Sequence, residues 1–347
     1  MTDVGDLAQR TADKLVGGRH VGVVVAAVRG DEVAVRCGGH TAVNGPPMRT
    51  DTLFEIGSVT KVFTALVLAR SVLAGEVTLD EPVRDLLPPG TAVPTRGGRE
   101  ITVRHLSMHS SGLPRLPHGM LWPALRHPGA PDPYAGCTAE VILAGLAATK
   151  LRAVPGARVR YSNLGVGLLG LALATRLGQS YESLVTEQVC APLGLADTRI
   201  SLDPVHEARF TQGHTAKRRP TPPWHLAALA GAGGLRSTGS DLAGLLRAHL
   251  DADSPLAEAI RLCLSQEQRF SLRATMHLGW IQFPMPKRFR PAVQIWHDGG
   301  TGGFRSFVGY VPDHAAAVAV LSNTARWVSS AGTDLLRVLA FGGDLKR

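Results

Sequence analysis

The chain has 347 residues, 44% hydrophobic and 19% charged, which is enough apolar side chain for a sizeable core and excludes a disordered chain. Its 39 Gly and 23 Pro follow no period, so collagen-like and linker readings fail. The net charge is +9, but most of the basic residues are scattered arginines and aromatics make up only 5%, so the basic stripe with interleaved aromatics that nucleic acid requires is missing.

That charge does favour anionic small molecules. The N-terminus, Met-Thr-Asp-Val-Gly-Asp, has no basic region followed by an apolar one, which predicts no signal peptide and a cytoplasmic protein. The longest uncharged run near the middle, Leu164 to Thr175, is about a dozen residues, against about 20 for a membrane span. Cys37, Cys137, Cys190 and Cys263 lie far apart without C-x-x-C spacing, so free thiols are expected and a metal site is not.

The first helix is expected from Asp6 to Leu15. Strand-like runs follow at Val21–Val28 and Glu32–Cys37, joined at Arg29-Gly30-Asp31 as a hairpin. From Ser58 to Ala74 the apolar residues recur every three or four positions, as in a helix. Pro114 to Pro133 reads as a long surface loop. Helical patterns return at Ala139–Ala148, Leu164–Leu177 and Tyr181–Val189. A second Pro-rich stretch, Lys217–Trp224, precedes a helix at Ser240–His249 whose Ser/Asp start looks like a cap. Strands are expected at Leu278–Phe283, Val293–Trp296, Phe304–Val311 and Ala315–Leu321, then a helix over Ser329–Ala340. Strands at both ends with helices between them predict an α/β (α+β) chain. Residues 1–65 and 210–347 would form a discontinuous sheet domain, residues 66–209 a helical domain, with the site at their interface.

No G-x-S-x-G elbow and no P-loop occurs in the chain. His105 and His109 lack the intervening Glu of a zinc protease and read as structural. Three short patterns remain. In Ser58-Val59-Thr60-Lys61, the lysine lies one helical turn from a hydroxyl that needs a base to become nucleophilic. Lys61 can act as that base only if burial or a neighbouring cation lowers its pKa, and Val62, Phe63 and Leu66 predict burial. In Tyr161-Ser162-Asn163, a phenol beside cationic groups could be partly ionised and move a proton, and the amide could hold a substrate carbonyl. The third pattern is His297-Asp298-Gly299-Gly300-Thr301-Gly302-Gly303, after an apolar strand. Its glycines allow a backbone edge close to a substrate, and the Gly300 N–H with that of Ser58 could form an oxyanion hole. The competing readings are a surface helix, a buried tyrosine and a glycine turn.

Taken together and in this order, Ser58-x-x-Lys61, Tyr161-x-Asn163 and His297-x-Gly299 resemble the signature elements of the serine β-lactamase and penicillin-binding-protein superfamily. The resemblance is to its class C β-lactamase-like group, with family VIII esterases, D-aminopeptidases and transacylases. Phe54-Glu55-Ile56-Gly57 before Ser58, Leu106-Ser107-Met108-His109-Ser110-Ser111-Gly112-Leu113-Pro114, Pro155-Gly156 and Gly233-Gly234-Leu235 extend it over roughly residues 15–340. It implies a mostly antiparallel sheet flanked by helices, with an inserted all-helical domain. It implies Ser58 as acylated nucleophile, Lys61 and Tyr161 as the proton-transfer pair with their division of labour open, and Asn163, His297, Gly299, Gly300 and Thr301 around the substrate.

His297 stands where β-lactamases carry the lysine that helps bind the antibiotic's carboxylate, so poor penicillin hydrolysis is expected. Histidine would bring a cation that titrates near neutrality. The expected activity is that of a serine hydrolase or acyltransferase on an ester, thioester or amide, esterase- or transacylase-like, without a cofactor. Its partners would be a small acyl donor and water, an amine or an alcohol. The alternatives are a β-lactamase or D-amino-acid peptidase, and a non-catalytic binder on the same scaffold. Trp122 and Trp224, in the two Pro-rich loops, are candidate walls of the pocket mouth.

Overall fold

The computed structural model describes residues 3–117 and 132–345. Twelve strands occur among these residues: β1 Gly22–Arg29, β2 Glu32–Gly39, β3 Phe54–Glu55, β4 Gly213–His214, β5 Pro220–Thr221, β6 Arg236–Ser237, β7 Gln268–Arg269, β8 Thr275–Met276, β9 Ile281–Pro284, β10 Val293–Gly300, β11 Arg305–Val311 and β12 Ala316–Ser322. Eight of them form one antiparallel sheet in the order β2-β1-β12-β11-β10-β9-β8-β7. Its middle joins the two ends of the chain, with Val24 opposite Leu321 and Val28 opposite Ala317.

The strand β1 is apolar without a break because both of its faces are covered. Val23, Val25 and Ala27 pack in one core with the helices Val4–Gly17 and Ser329–Phe341. Val24, Ala26 and Val28 face a larger core that holds the helices Thr60–Leu73, Asn163–Leu177 and Gly239–Leu250. This is the expected antiparallel sheet flanked by helices. The helix Thr60–Leu73 is buried on nearly every side, Lys61 included. An apolar helix of this kind lies inside a core rather than on a surface.

Several boundaries differ from the sequence-based expectation, each for a local reason. The strand expected at Leu278–Phe283 begins only at Ile281, because Gly279 (φ +70°) turns the chain. A Cβ there would lie 2.8 Å from the Lys61 carbonyl oxygen, so only glycine fits. β10 continues through Gly300, which makes the glycines a strand edge before the loop at Thr301. The helix Gly239–Leu250 is capped by Thr238, whose hydroxyl accepts from Asp241 N–H, and not by Ser240. The helix starting at Tyr181 changes to a π-turn at Thr186–Cys190. No helix among the described residues is long and apolar enough to cross a membrane.

Candidate active site

The short strand β3 leads into a 3-10 turn, Gly57–Val59, that runs directly into the helix Thr60–Leu73. Ser58 therefore sits on the turn and Lys61 in the first turn of the helix, which places the amine beside the hydroxyl. Lys61 Nζ is 2.9 Å from Ser58 Oγ, 2.6 Å from the Ala232 carbonyl oxygen and 3.1 Å from Asn163 Oδ1. The Asn163 amide is oriented by its other end, where Nδ2 donates to Tyr134 Oη at 3.4 Å. Two of the three partners of Lys61 are oxygens that can only accept. An uncharged amine donates its two N–H groups to them and keeps its lone pair for the Ser58 O–H. The electrostatics agree: burial, helped by the Arg115 charge, holds this amine well below the ordinary lysine range, against the opposing pull of Asp298.

Tyr161 is held from behind. His109, at φ +56°, lies against its ring, tilted by 32° with centroids 4.3 Å apart, and His109 Nδ1 accepts the Ser162 N–H at 3.1 Å. The Ser162 hydroxyl donates to Pro114 O and caps the helix Asn163–Leu177 through Gly165 N–H. The segment Leu106–Pro114 thus fixes where the tyrosine and asparagine point. Burial also keeps the His109 ring uncharged. Tyr161 and Ser58 line the same cavity, and the Tyr161 ring lies 5.0 Å from Lys61 Nζ. The expectation of a partly ionised phenol is corrected here. Burial pushes the Tyr161 phenol above its ordinary range and outweighs the opposing influence of the Ser58 hydroxyl and the Arg115 charge, so the resting side chain carries its proton.

The end of β10 closes the other wall. Ser306 Oγ donates to Ile56 O at 2.7 Å, which ties β11 to the turn that carries Ser58. Gly57, at φ +50°, abuts Gly300 so closely that a Cβ would lie 2.6 Å from Gly300 N. A Cβ on Gly299 would lie 2.1 Å from Ile56 O and 3.0 Å from Ser58 N. The N–H groups of Ser58 and Gly300 consequently belong to two backbones in contact. His297 is buried, and its Nδ1 donates to Asp298 O at 2.7 Å, which leaves the lone pair on Nε2. The expectation of a cation titrating near neutrality fails at this residue. Burial, together with Lys61, holds the His297 ring at about 3, so it is neutral at physiological pH.

Ser58, Tyr161, Asn163, His297, Gly299, Gly300 and Thr301 all line one cavity of about 480 Å³, with Lys61 against Ser58 beneath. Trp224 lines it too, its ring edge-on to Tyr134 at 5.4 Å, while Trp122 lies outside the described residues. Residues that the sequence did not single out complete the wall: Arg115, Tyr134, Phe270, Arg305 and Trp327. Arg115, Tyr134, Phe270 and Trp327 lie outside strands and helices, and Arg305 opens β11. Glu55 was visible only as part of the lead into Ser58. It is buried, accepts the Trp224 N–H at 2.7 Å, and is pushed up to about 7 by burial.

A serine hydroxyl on a turn, a buried amine of lowered pKa touching it and a protonated phenol in the same cavity can carry out nucleophilic acyl chemistry. A family model described as Beta-lactamase matches residues 8–342. D-alanyl-D-alanine-carboxypeptidase/endopeptidase AmpH of Escherichia coli (strain K12) is 30% identical over 329 residues, covering 88% of this chain and 80% of that protein. A Pseudomonas fluorescens beta-lactamase is 26% identical over 357 residues, covering 93% and 94%. The solved structure of the octameric penicillin-binding protein homologue from Pyrococcus abyssi superposes with a TM-score of 0.83 at 26% identity, over 97% of this chain and 77% of that one. The chain belongs to the β-lactamase family and is a serine hydrolase of the β-lactamase and penicillin-binding-protein superfamily.

Proposed function

We propose that this hydrolase works through an acyl-Ser58 intermediate on an ester, thioester or amide, and that its chemistry is of the esterase or transacylase type. The observation that carries the reading is the buried Lys61 amine at 2.9 Å from Ser58 Oγ, with its pKa held well below the ordinary lysine range by burial. Ser58 Oγ attacks the acyl carbon and its proton passes to Lys61. The N–H groups of Ser58 and Gly300 hold the developing oxyanion, an arrangement that acts most strongly in the transition state. The protonated Tyr161 gives its proton to the leaving group as the bond to the acyl carbon breaks, and Lys61 restores it. Asn163 fixes the amine and faces the acyl chain. In the second half, water, an alcohol or an amine attacks the acyl-enzyme, gives up a proton through the same pair and frees Ser58.

The neutral His297 supports ester and transfer chemistry over penicillin hydrolysis, because no charge stands at that position to meet an antibiotic's carboxylate. A second reading, β-lactamase or D-amino-acid peptidase, is favoured by the 30% identity to the Escherichia coli carboxypeptidase. The two separate on product analysis. With p-nitrophenyl pentanoate, rising amounts of a primary amine or alcohol should divert the acyl group from pentanoic acid to amide or ester while p-nitrophenol release stays unchanged, if acylation limits the rate. Nitrocefin turnover as fast as that of simple esters would replace the first reading with the second.

A further inference from the structure

We infer that Arg115 is the specificity residue of this site and selects substrates that carry a carboxylate. The inference deepens the acyl-Ser58 reading and rests on it. Arg115 lines the cavity with its guanidinium over the face of Tyr161, 5.4 Å from the ring centroid, and is solvent-exposed. Its backbone is fixed, because Arg115 O accepts the N–H groups of Asn163 and Leu164 at 3.0 and 3.2 Å. The segment carrying this cation is thus tied to the segment carrying Tyr161 and Asn163.

The other charges around the cavity are already committed. Arg305 donates through Nη1 to the carbonyls of Thr301 and Phe304 and packs on Trp327, which braces the loop after β10. Asp298 accepts from the Ser329 hydroxyl. Lys61 is spent on Ser58, Asn163 and Ala232. His297 is uncharged. Arg115, in contrast, pairs with no carboxylate among the described residues, and residues 118–131 contain no Asp or Glu. Asp132, where the description resumes, uses its two oxygens on the N–H groups of Tyr134 and His225.

An unpaired guanidinium presents a planar fork that matches a carboxylate through two parallel charge-assisted bonds. The walls beside it, Leu116, Tyr134, Trp224 and Leu226, are largely apolar, which strengthens a charge pair and suits the hydrocarbon between a reactive carbonyl and a distal anion. The net charge of +9 adds long-range attraction for such a substrate. The carboxylate can sit on the acyl side, as in a half-ester of a dicarboxylic acid, or on the leaving group.

Two matched pairs of esters test this with the full-length protein. The first is mono-p-nitrophenyl glutarate against p-nitrophenyl pentanoate, with the charge on the acyl side. The second is 4-carboxyphenyl pentanoate against its methyl ester, with the charge on the leaving side. Because Arg115 also acts on Lys61, every rate will move in an Arg115 variant, so the quantity to read is the kcat/KM ratio within each pair. The wild type should favour the anionic member of at least one pair, and Arg115→Gln should reduce that ratio about 10- to 100-fold. Arg115→Lys should retain part of it, and Arg115→Glu should invert it. Equal ratios in wild type and Arg115→Gln for both pairs would overturn the inference alone. Absence of wild-type turnover on all four esters would overturn the acyl-Ser58 reading and this inference with it.

Discussion

Lys61→Met is expected to slow acylation of Ser58 about a hundred- to ten-thousandfold, the range for a positioned general base. The same variant should cost less stability at neutral pH than near pH 10. The side chain of Lys61 is 1% exposed, and methionine fills the same apolar channel. What the variant loses is two N–H donors, to Ala232 O and Asn163 Oδ1, at about 1 kcal/mol each. What it removes is a proton-linkage penalty. The unfolded chain protonates this lysine below its ordinary 10.5, whereas the folded chain resists because its pKa lies well below that value. The unfolded state therefore binds more protons, and wild-type stability rises with pH toward 10.5. Methionine has no such dependence. Stopped-flow acylation and thermal unfolding across pH check both halves. A large loss of stability would mean that the amine acts as a structural cation. The same electrostatics fix the direction of a pH profile. Arg115 helps lower the Lys61 pKa, so Arg115→Gln should move the acid limb of acylation to higher pH.

Gly299→Ala should reduce kcat about a hundred- to a thousandfold, the cost of losing one oxyanion donor. The new methyl would lie 2.1 Å from Ile56 O, 2.3 Å from Ser306 Oγ and 3.0 Å from Ser58 N. Two of these three contacts are backbone atoms, so the strand edge must part from the turn that carries Ser58. The two N–H groups would then no longer converge on one oxygen. Overpacking of this kind also costs about 1–3 kcal/mol of stability. Gly75→Ala separates strain from obstruction. Gly75 lies at φ +74° with open space around it, so alanine there should cost stability and leave kcat in place. Equal kcat in wild type and Gly299→Ala would show that these backbones do not form the oxyanion site.

Much of the site was legible because its chemistry rests on short spacings. Ser58 and Lys61 are one helical turn apart, and burial of the lysine followed from its apolar neighbours. Tyr161 and Asn163 flank the cap of one helix, and His297 to Gly300 lie along one strand. The protonation states were not legible, since they depend on what other segments cover. His297 is stripped of its charge, and Tyr161 keeps its proton, because distant chain segments bury them. Arg115, Phe270 and Trp327 were missed because single residues on irregular loops carry no periodic signal. The strand boundaries slipped where one glycine, Gly279, turns a run that looks continuous in apolar residues. The cap of the helix at Gly239 went to Thr238 because side-chain geometry, and not residue type alone, decides between neighbouring hydroxyls.

Acyl transfer by this mechanism requires one oxygen of the chain, Ser58 Oγ, to carry the acyl group between donor and acceptor. Acid-quenched wild-type protein, taken during turnover of p-nitrophenyl pentanoate and analysed by intact mass and peptide mapping, should show a single added pentanoyl group on the peptide bearing Ser58. Ser58→Ala should show none and should lose turnover. An acyl group mapped to another residue, or full turnover by Ser58→Ala, would contradict the account.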